Sequence, residues 1–293
     1  MWEEHFVHKL SAPIRPYRET DNCTVLALID ADRLPGQPAC TPGMLEHALD
    51  GRSPIDSRWW EELQPPRTNV LLDGEGLLTG AVSYAIRPRD EAGLLLWMHC
   101  REDHAAAGAL LRHALDQLGP RTNFAFECAS ALTFGVEGLS ARHRATTREV
   151  LQRAGFTTRD LRRYIQSPLP LTGLPLMAAY STGPVHKPPG RRLQVRDGDE
   201  VVAEAVIGNP FDGIAVLRWL HVTSSAQRQG MGRALLGSAV DLLAGLGATQ
   251  VIGYVDDDDP RDPERDRTAA NALYDSVGFT EVDRLLSFTR LPE

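Results

Sequence analysis

Along the second half of the chain the apolar residues change period in a fixed order. RRLQV and EVVAEAVIG alternate apolar and polar positions on either side of the turn-like RDGD, which predicts a hairpin. AVLRWLHV, ending at Val222, is a nearly unbroken apolar run and predicts a buried strand. GRALLGSAVDLLAGLG then carries apolar residues at helical spacing and a terminal glycine suited to a C-cap. A strand TQVIGYV, a charged loop DDDDPRDPERDR, a helix TAANALYDSVGF and a last strand DRLLSFTRL complete the series.

The first half spells the same order. TNVLLDGEGLLTGAVSYAI reads as the hairpin, GLLLWMHC as the buried strand and AAAGALLRHALDQLG as the helix, followed by strand NFAFECA, helix ATTREVLQRAGF and closing strand RDLRRYIQS. From Leu111 to Gly155 is 44 residues, and the equivalent step from Leu236 to Gly278 is 42. A period of about 125 residues is too long for a solenoid repeat and indicates duplication of a whole α/β domain. Between the copies, Ser167 to Arg192 contains six prolines and reads as a linker with room for a short strand at Leu176 to Tyr180. The expected domains are therefore 1–168 and 169–293. The first also holds a helix-rich segment, roughly Glu19 to Leu63, for which the second has no room.

Composition narrows the partners. A net charge of −8 and a pI near 5.6 argue against a surface built for nucleic acid and suit a cationic small molecule. The first thirty residues lack a basic segment followed by an apolar one, and no run reaches 18 apolar residues, so a cytoplasmic protein without a membrane span is expected. Cys23, Cys40, Cys100 and Cys128 show no metal-ligand spacing and read as reduced, mostly buried small residues; no metal is expected.

The candidate chemistry lies in QRQGMGRALL, residues 227 to 236, where a polar loop becomes a helix. The first turn of a helix offers unpartnered N–H groups and the positive end of the helix dipole, which together make an anion site. Gly230 and Gly232 remove the Cβ atoms that would hold a phosphate away, and Arg228 and Arg233 add positive charge. The equivalent decapeptide in the first half, EDHAAAGALL, puts Ala105 and Ala107 at the glycine positions and Glu102 at the Gln227 position. Its loop is three residues shorter, with 10 residues from Cys100 to Leu110 against 13 from Val222 to Leu235, and Leu151 stands in the place of Tyr274.

Taken in order, LHV (220 to 222), QRQGMG (227 to 232) and LYDSVGF (273 to 279) resemble the GNAT N-acetyltransferase superfamily. IRPYRETD at Ile14 resembles the start of the same fold, so the likeness covers nearly the whole chain. The resemblance implies an α/β (α+β) architecture of two tandem acyl-CoA N-acyltransferase domains, each a mixed, mostly antiparallel sheet flanked by helices. It implies acetyl-CoA as cosubstrate, with its pantetheine arm on the backbone of Leu220 and Val222. Its pyrophosphate would lie on Gln227, Arg228, Gln229, Gly230, Met231, Gly232 and Arg233.

Tyr274 takes the place of the general acid, because a phenol can protonate a departing thiolate. Many family members keep a glutamate base on the central strand, but Val216 stands there in this chain. His221 is an alternative base or a packed histidine on the opposite face; Glu204 and Asp212 are further candidates, and a water chain would also serve. The acidic run from Asp256 to Asp266 reads as a solvated loop or as an attractor for a polyamine or amino sugar. The expected activity is acetyl transfer to a primary amine of a small molecule, with the first half a degenerate copy that stabilises the second or closes one side of the acceptor pocket. The alternative is a non-catalytic acyl-CoA-binding scaffold. Nothing in the chain separates a monomer from a homodimer.

Overall fold

The computed structural model describes residues 13–53, 57–128, 131–133, 137–256, 259, 261–262 and 265–292. The first half runs through β1 (Ile14–Pro16), α1 (Asn22–Ala31), α2 (Pro42–Leu49), the single turn α3 (Ser57–Trp60), β2 (Arg67–Leu72), β3 (Leu78–Arg87) and β4 (Ala92–His99). It continues with α4 (His104–Leu118), β5 (Asn123–Ala125), β6 (Leu139–Ser140), α5 (Ala145–Arg153) and β7 (Thr157–Pro168). The second half consists of β8 (Ser181–His186), β9 (Pro189–Asp197), β10 (Glu200–Gly208), β11 (Ile214–Val222), α6 (Met231–Gly245), β12 (Gln250–Asp256), α7 (Thr268–Ser276) and β13 (Thr280–Arg290). The α/β architecture with a mostly antiparallel sheet, read from the alternating and helical periods, is the one observed.

All the strands join one sheet, in the order β1-β2-β3-β4-β5-β13-β7-β12-β11-β10-β9-β8, with β6 on the side of β13. The two halves therefore exchange their closing strands. β7, made by the first half, pairs with β12 of the second, and β13, made by the second, pairs with β5 of the first. The exchanged strands pair antiparallel with each other from Thr157↔Thr289 to Gln166↔Thr280. Both read from sequence as the last strand of their own domain, because the apolar pattern of a strand fixes which faces it buries and not which neighbour it takes.

One core, with Leu110, Leu111, Leu151 and Phe288, lies between α4, α5 and the first half's strands, and its counterpart with Leu193, Leu235, Leu236 and Tyr274 lies under α6 and α7. On the opposite face of the sheet, α1 and α2 cover β4 through Val25, Ile29 and Leu45 on Leu94, Leu96 and Trp97. Among the described residues the second half has no such helices. There, Leu34 of the first half packs with Tyr164, Val216 and Ile252.

The linker differs from its expected form. Leu176 to Tyr180 is not a strand; Leu171, Leu174 and Met177 pack on the α6 side of the core, where the hydroxyl of Ser238 accepts the Met177 N–H at 2.9 Å. A Cβ on Gly237 would stand 2.2 Å from the Pro175 carbonyl oxygen, so this glycine permits the close approach. The strand forms later, as β8. Of the four cysteines only Cys100 is fully buried and Cys23 is exposed, so burial is less general than their type suggested; all four are free thiols.

A buried carboxylate fastens β13 to the first half. Asp283 accepts hydrogen bonds from Ser140 Oγ, the backbone N–H of Arg142 and His143, and His143 Nδ1 at 2.7 Å. Burial alone would raise this carboxyl, but these donors outweigh it and hold it at about 2. Its contribution is present above the ordinary carboxylate range and is lost as pH falls through about 4 towards 2. Asp283→Asn is expected to cost about 2–4 kcal/mol at neutral pH, the scale of losing charge-assisted buried hydrogen bonds, with the penalty shrinking below pH ~4. Chemical denaturation across that pH range measures both.

Candidate functional site

β11 keeps β10 beside it along most of its length, from Ile207↔Leu217 to Ala203↔Val222. On its other side it pairs in parallel with β12 only from Ile214↔Gln250 to Leu217↔Gly253. Past Leu217 the two strands part, and among the described residues the backbone from Arg218 to Val222 has no strand partner on that side. The parting coincides with a bulge. Val206 faces Trp219 while Ile207 faces Leu217, so Arg218 is the extra residue that bends the strand. Leu220 and Val222 turn their side chains to the core under α6, which leaves Trp219 and His221 on the opposite face.

The chain leaves Val222 through an exposed loop and enters α6 at Met231. Gly230 is the N-cap, in the left-handed conformation at φ 79°, and no side chain caps the helix. A Cβ at Gly230 would meet nothing within 4 Å, and one at Gly232 would meet only Val222 Cγ2 at 3.6 Å and Leu273 Cδ2 at 3.7 Å. Packing therefore requires neither glycine to be small. Gly230 is required by its φ, and both leave open space before the free N–H groups of the first turn. Arg228 is exposed beside this opening, also at positive φ. Arg233 donates to Ser276 Oγ at 3.0 Å, tying α6 to α7, and Met231 packs against the core. Gln227 donates to the Val222 carbonyl at 3.0 Å and Gln229 to that of Ser225 at 3.2 Å, so these two side chains brace the loop.

Near-contact of Gly232, Val222 and Leu273 brings together three motifs that lie far apart in the sequence. Tyr274, next to Leu273, is 7% exposed, with its ring edge-on to Phe279 at 5.3 Å. Burial pushes its phenol well above the usual range, so it holds its proton throughout physiological pH. His221 is exposed and stacks on Trp219 at 6.0 Å between ring centres. Glu204 faces His221 across the strands but is engaged by Gln194 at 2.7 Å and Arg192 at 3.4 Å. Asp212 precedes Ile214, at the end of β11 away from Val222. Among the described residues of the acidic run, Asp259 pairs with Arg261 at 3.0 Å, and Asp266 accepts the Thr268 N–H at 2.8 Å. Residues 257, 258, 260, 263 and 264 of that run lie outside the described residues. Among the described residues no cluster of three or more His, Cys, Asp or Glu side chains could hold a metal, and no helix is long and apolar enough to cross a membrane.

The first half repeats this geometry and fills it. β4 pairs with β5 only from Gly93 to Leu95, and its bulge falls at Leu96, the counterpart of Arg218. Arg144 reaches into the parting and donates to the Met98 carbonyl at 2.8 Å, with Asp32 at 3.4 Å and Glu102 Oε1 at 2.6 Å. Burial alone would raise the Asp32 carboxyl; the His99 hydrogen bond and the charge of Arg144 outweigh it and keep it low. Glu102 also accepts the N–H of Thr147 at 3.0 Å, near the start of α5. Asp103 caps α4 by accepting the Ala106 N–H at 2.8 Å. The backbone and helix end that stand open in the second half are thus closed by the chain's own side chains. Asp103 was readable as an N-cap aspartate directly before an alanine-rich helix. Asp32 and Arg144, distant in sequence, carried no signal.

Residues 157–279 match the model of the Acetyltransferase (GNAT) family, a span that starts at the first residue of β7 and ends just past α7. No curated protein matches the chain. Among solved structures, it is similar to the GCN5-related glucosamine N-acetyltransferase region of a fungal multi-domain GH3 β-N-acetylglucosaminidase, at 12% identity and TM-score 0.63; this covers 94% of the chain but 38% of that protein. A GCN5-related N-acetyltransferase from Sphaerobacter thermophilus aligns over 95% of both chains at 12% identity and TM-score 0.60. A tandem GNAT protein from the clavulanic acid biosynthesis pathway aligns over 94% of this chain and 97% of its own at 14% identity and TM-score 0.61. At such identities these likenesses show the fold, a tandem one. Over residues 157–279, then, the chain is similar to the acetyltransferase (GNAT) family, and over nearly its whole length it shares the fold of these structures.

Proposed function

We propose that the chain transfers an acetyl group from acetyl-CoA to a primary amine of a small molecule, directly within a ternary complex, and that residues 169–293, completed by β7, form the catalytic unit. The observation that carries this reading is the uncapped, glycine-opened start of α6 at the end of the unpaired run of β11. The same place in the first half is plugged by Arg144, Glu102 and Asp103. We read residues 1–168 as a degenerate copy whose own side chains take the place of the cofactor.

The open residues fit the proposed cosubstrate. A pyrophosphate suits the first-turn N–H groups and Arg228, and an extended amide-bearing arm suits the unpaired backbone at Leu220 and Val222. When bound, acetyl-CoA supplies an acetyl group activated as a thioester. The chain's part is to align and to manage protons. Tyr274, kept protonated by burial, donates from its Oη to the departing sulfur. His221, exposed on the face opposite α6, is the nearest group on β11 able to take the proton that the amine loses. The amine nitrogen bonds to the acetyl carbon as the carbon–sulfur bond breaks.

Calorimetry is expected to find one acetyl-CoA bound per chain; two would overturn the plugged first half. Gly230→Glu places bulk and negative charge before the helix end and should weaken that binding by about 100-fold or more, whereas unchanged affinity would remove the helix end from the site. Tyr274→Phe should retain cofactor binding and lower kcat by about 100-fold or more with an accepted amine. Cofactor binding without turnover of any amine by the wild type would instead identify an acyl-CoA-binding scaffold.

A further inference from the structure

The tryptophan and histidine two residues apart on the parting strand occur in both halves, in different surroundings. Trp219 and His221 on β11 are exposed, whereas their counterparts on β4, Trp97 and His99, are 3% and 8% exposed, with ring centres 6.1 Å apart. Trp97 and His99 line a cavity whose apolar wall is made by Ile29, Leu34, Leu96, Phe126 and Leu139. About 70 Å³ of it is open to the centre of a water molecule, several times the ~10–15 Å³ that a single water requires. A ligand the size of one ring fits such a space.

The polar groups of the wall decide what kind of ligand. Its charged side chains have their partners within the protein: Arg144 holds Asp32 at 3.4 Å and Glu102 at 2.6 Å, and Arg33 holds Asp30 at 2.8 Å and the Gln37 carbonyl at 2.6 Å. Asp32 also accepts the Cys100 N–H at 3.3 Å. A charged ligand would therefore be buried without a free counter-charge, which is unfavourable.

Two ring nitrogens present hydrogen-bonding capacity of opposite kinds. The Trp97 indole N–H is buried and has no acceptor among the described residues. His99 Nδ1 lies 3.1 Å from Asp32 Oδ2, and burial outweighs the pull of that carboxylate and keeps the ring below the usual histidine range. The ring is thus neutral at physiological pH, with its proton on the nitrogen that faces Asp32. Its Nε2 is left as an acceptor.

We propose that this cavity is a binding site for a small uncharged molecule, about one ring in size, that bears a hydroxyl or an amide. Its oxygen accepts from Trp97 Nε1, its O–H or N–H donates to His99 Nε2, and its body lies on the apolar wall. On the reading of the first half as plugged, the molecule is held there and not acetylated.

The test uses the full chain isotope-labelled on tryptophan nitrogen, with the indole N–H signals assigned. The probes are benzyl alcohol, benzamide, cyclohexanol and δ-valerolactam, set against toluene, benzoate and benzylammonium. At least one of the four uncharged polar probes should shift the Trp97 signal saturably at millimolar concentration and bind at least about fivefold more tightly than the other three compounds. Trp97→Phe should weaken that probe by about three- to tenfold in calorimetry, and Cys40→Phe, which fills the cavity, should abolish the Trp97 shift. Circular dichroism reports whether each variant is folded, and the wild-type comparison decides if neither is. No saturable Trp97 shift with any of the four, equal binding of toluene or of either charged compound, or undiminished affinity in folded Trp97→Phe would overturn the site. None of these readings involves acetyl-CoA, so its failure leaves the acetyltransferase reading standing.

Discussion

Everything in this molecule depends on the pairing of β7 with β13 at the centre of its sheet. Neither half closes its own sheet. Each borrows from the other the strand that flanks its parting strands, so the wall beside the proposed active site belongs to the first half in sequence and to the second in space. Arg163 on β7 shows how tightly this is built in: it reaches Asp275 on α7 at 2.7 Å and Glu281 on β13 at 2.9 Å. The hydrogen bonds of Asp283 perform the same service in the opposite direction.

This exchange also holds two halves with different interiors in one sheet. The first half supplies β7, Glu137 and the Leu34 contact to the second, and the place in the first half equivalent to the proposed cofactor groove is filled. The filling is thorough: a cation on the strand carbonyl, a carboxylate on the helix end and a second carboxylate behind the cation. The two halves are thus a paired comparison within one chain, with the same strand bulge and the same parting. One end is left polar and open, and the other is satisfied internally.

Much of this was legible in the residues. The periodicities placed the principal helices and strands, the count from Leu111 to Gly155 exposed the duplication, and QRQGMG against EDHAAA located the difference between the copies. Three things were hidden for a shared reason. Which neighbour β7 takes, what Arg144 reaches, and that Arg162 lies on the Tyr254 ring and pairs with Asp256 are all contacts between segments far apart in the chain. Local pattern records burial and spacing but not partnership. The strand misplaced at Leu176 to Tyr180 has a related cause, because an apolar stretch that lies along a helix looks the same in sequence as one that joins a sheet.

The separation of β5 from β13 along the chain gives synthesis a direction. β5 is complete once Ala125 is made, but its first partner in β13, Phe288, is made 163 residues later. At about 5–20 residues per second, the first half waits on the order of ten seconds or more with one side of its sheet unpaired. The brevity of β5, three residues long, limits what a stray strand can grip during that interval. The first half is made before the second, yet its sheet is finished only with it.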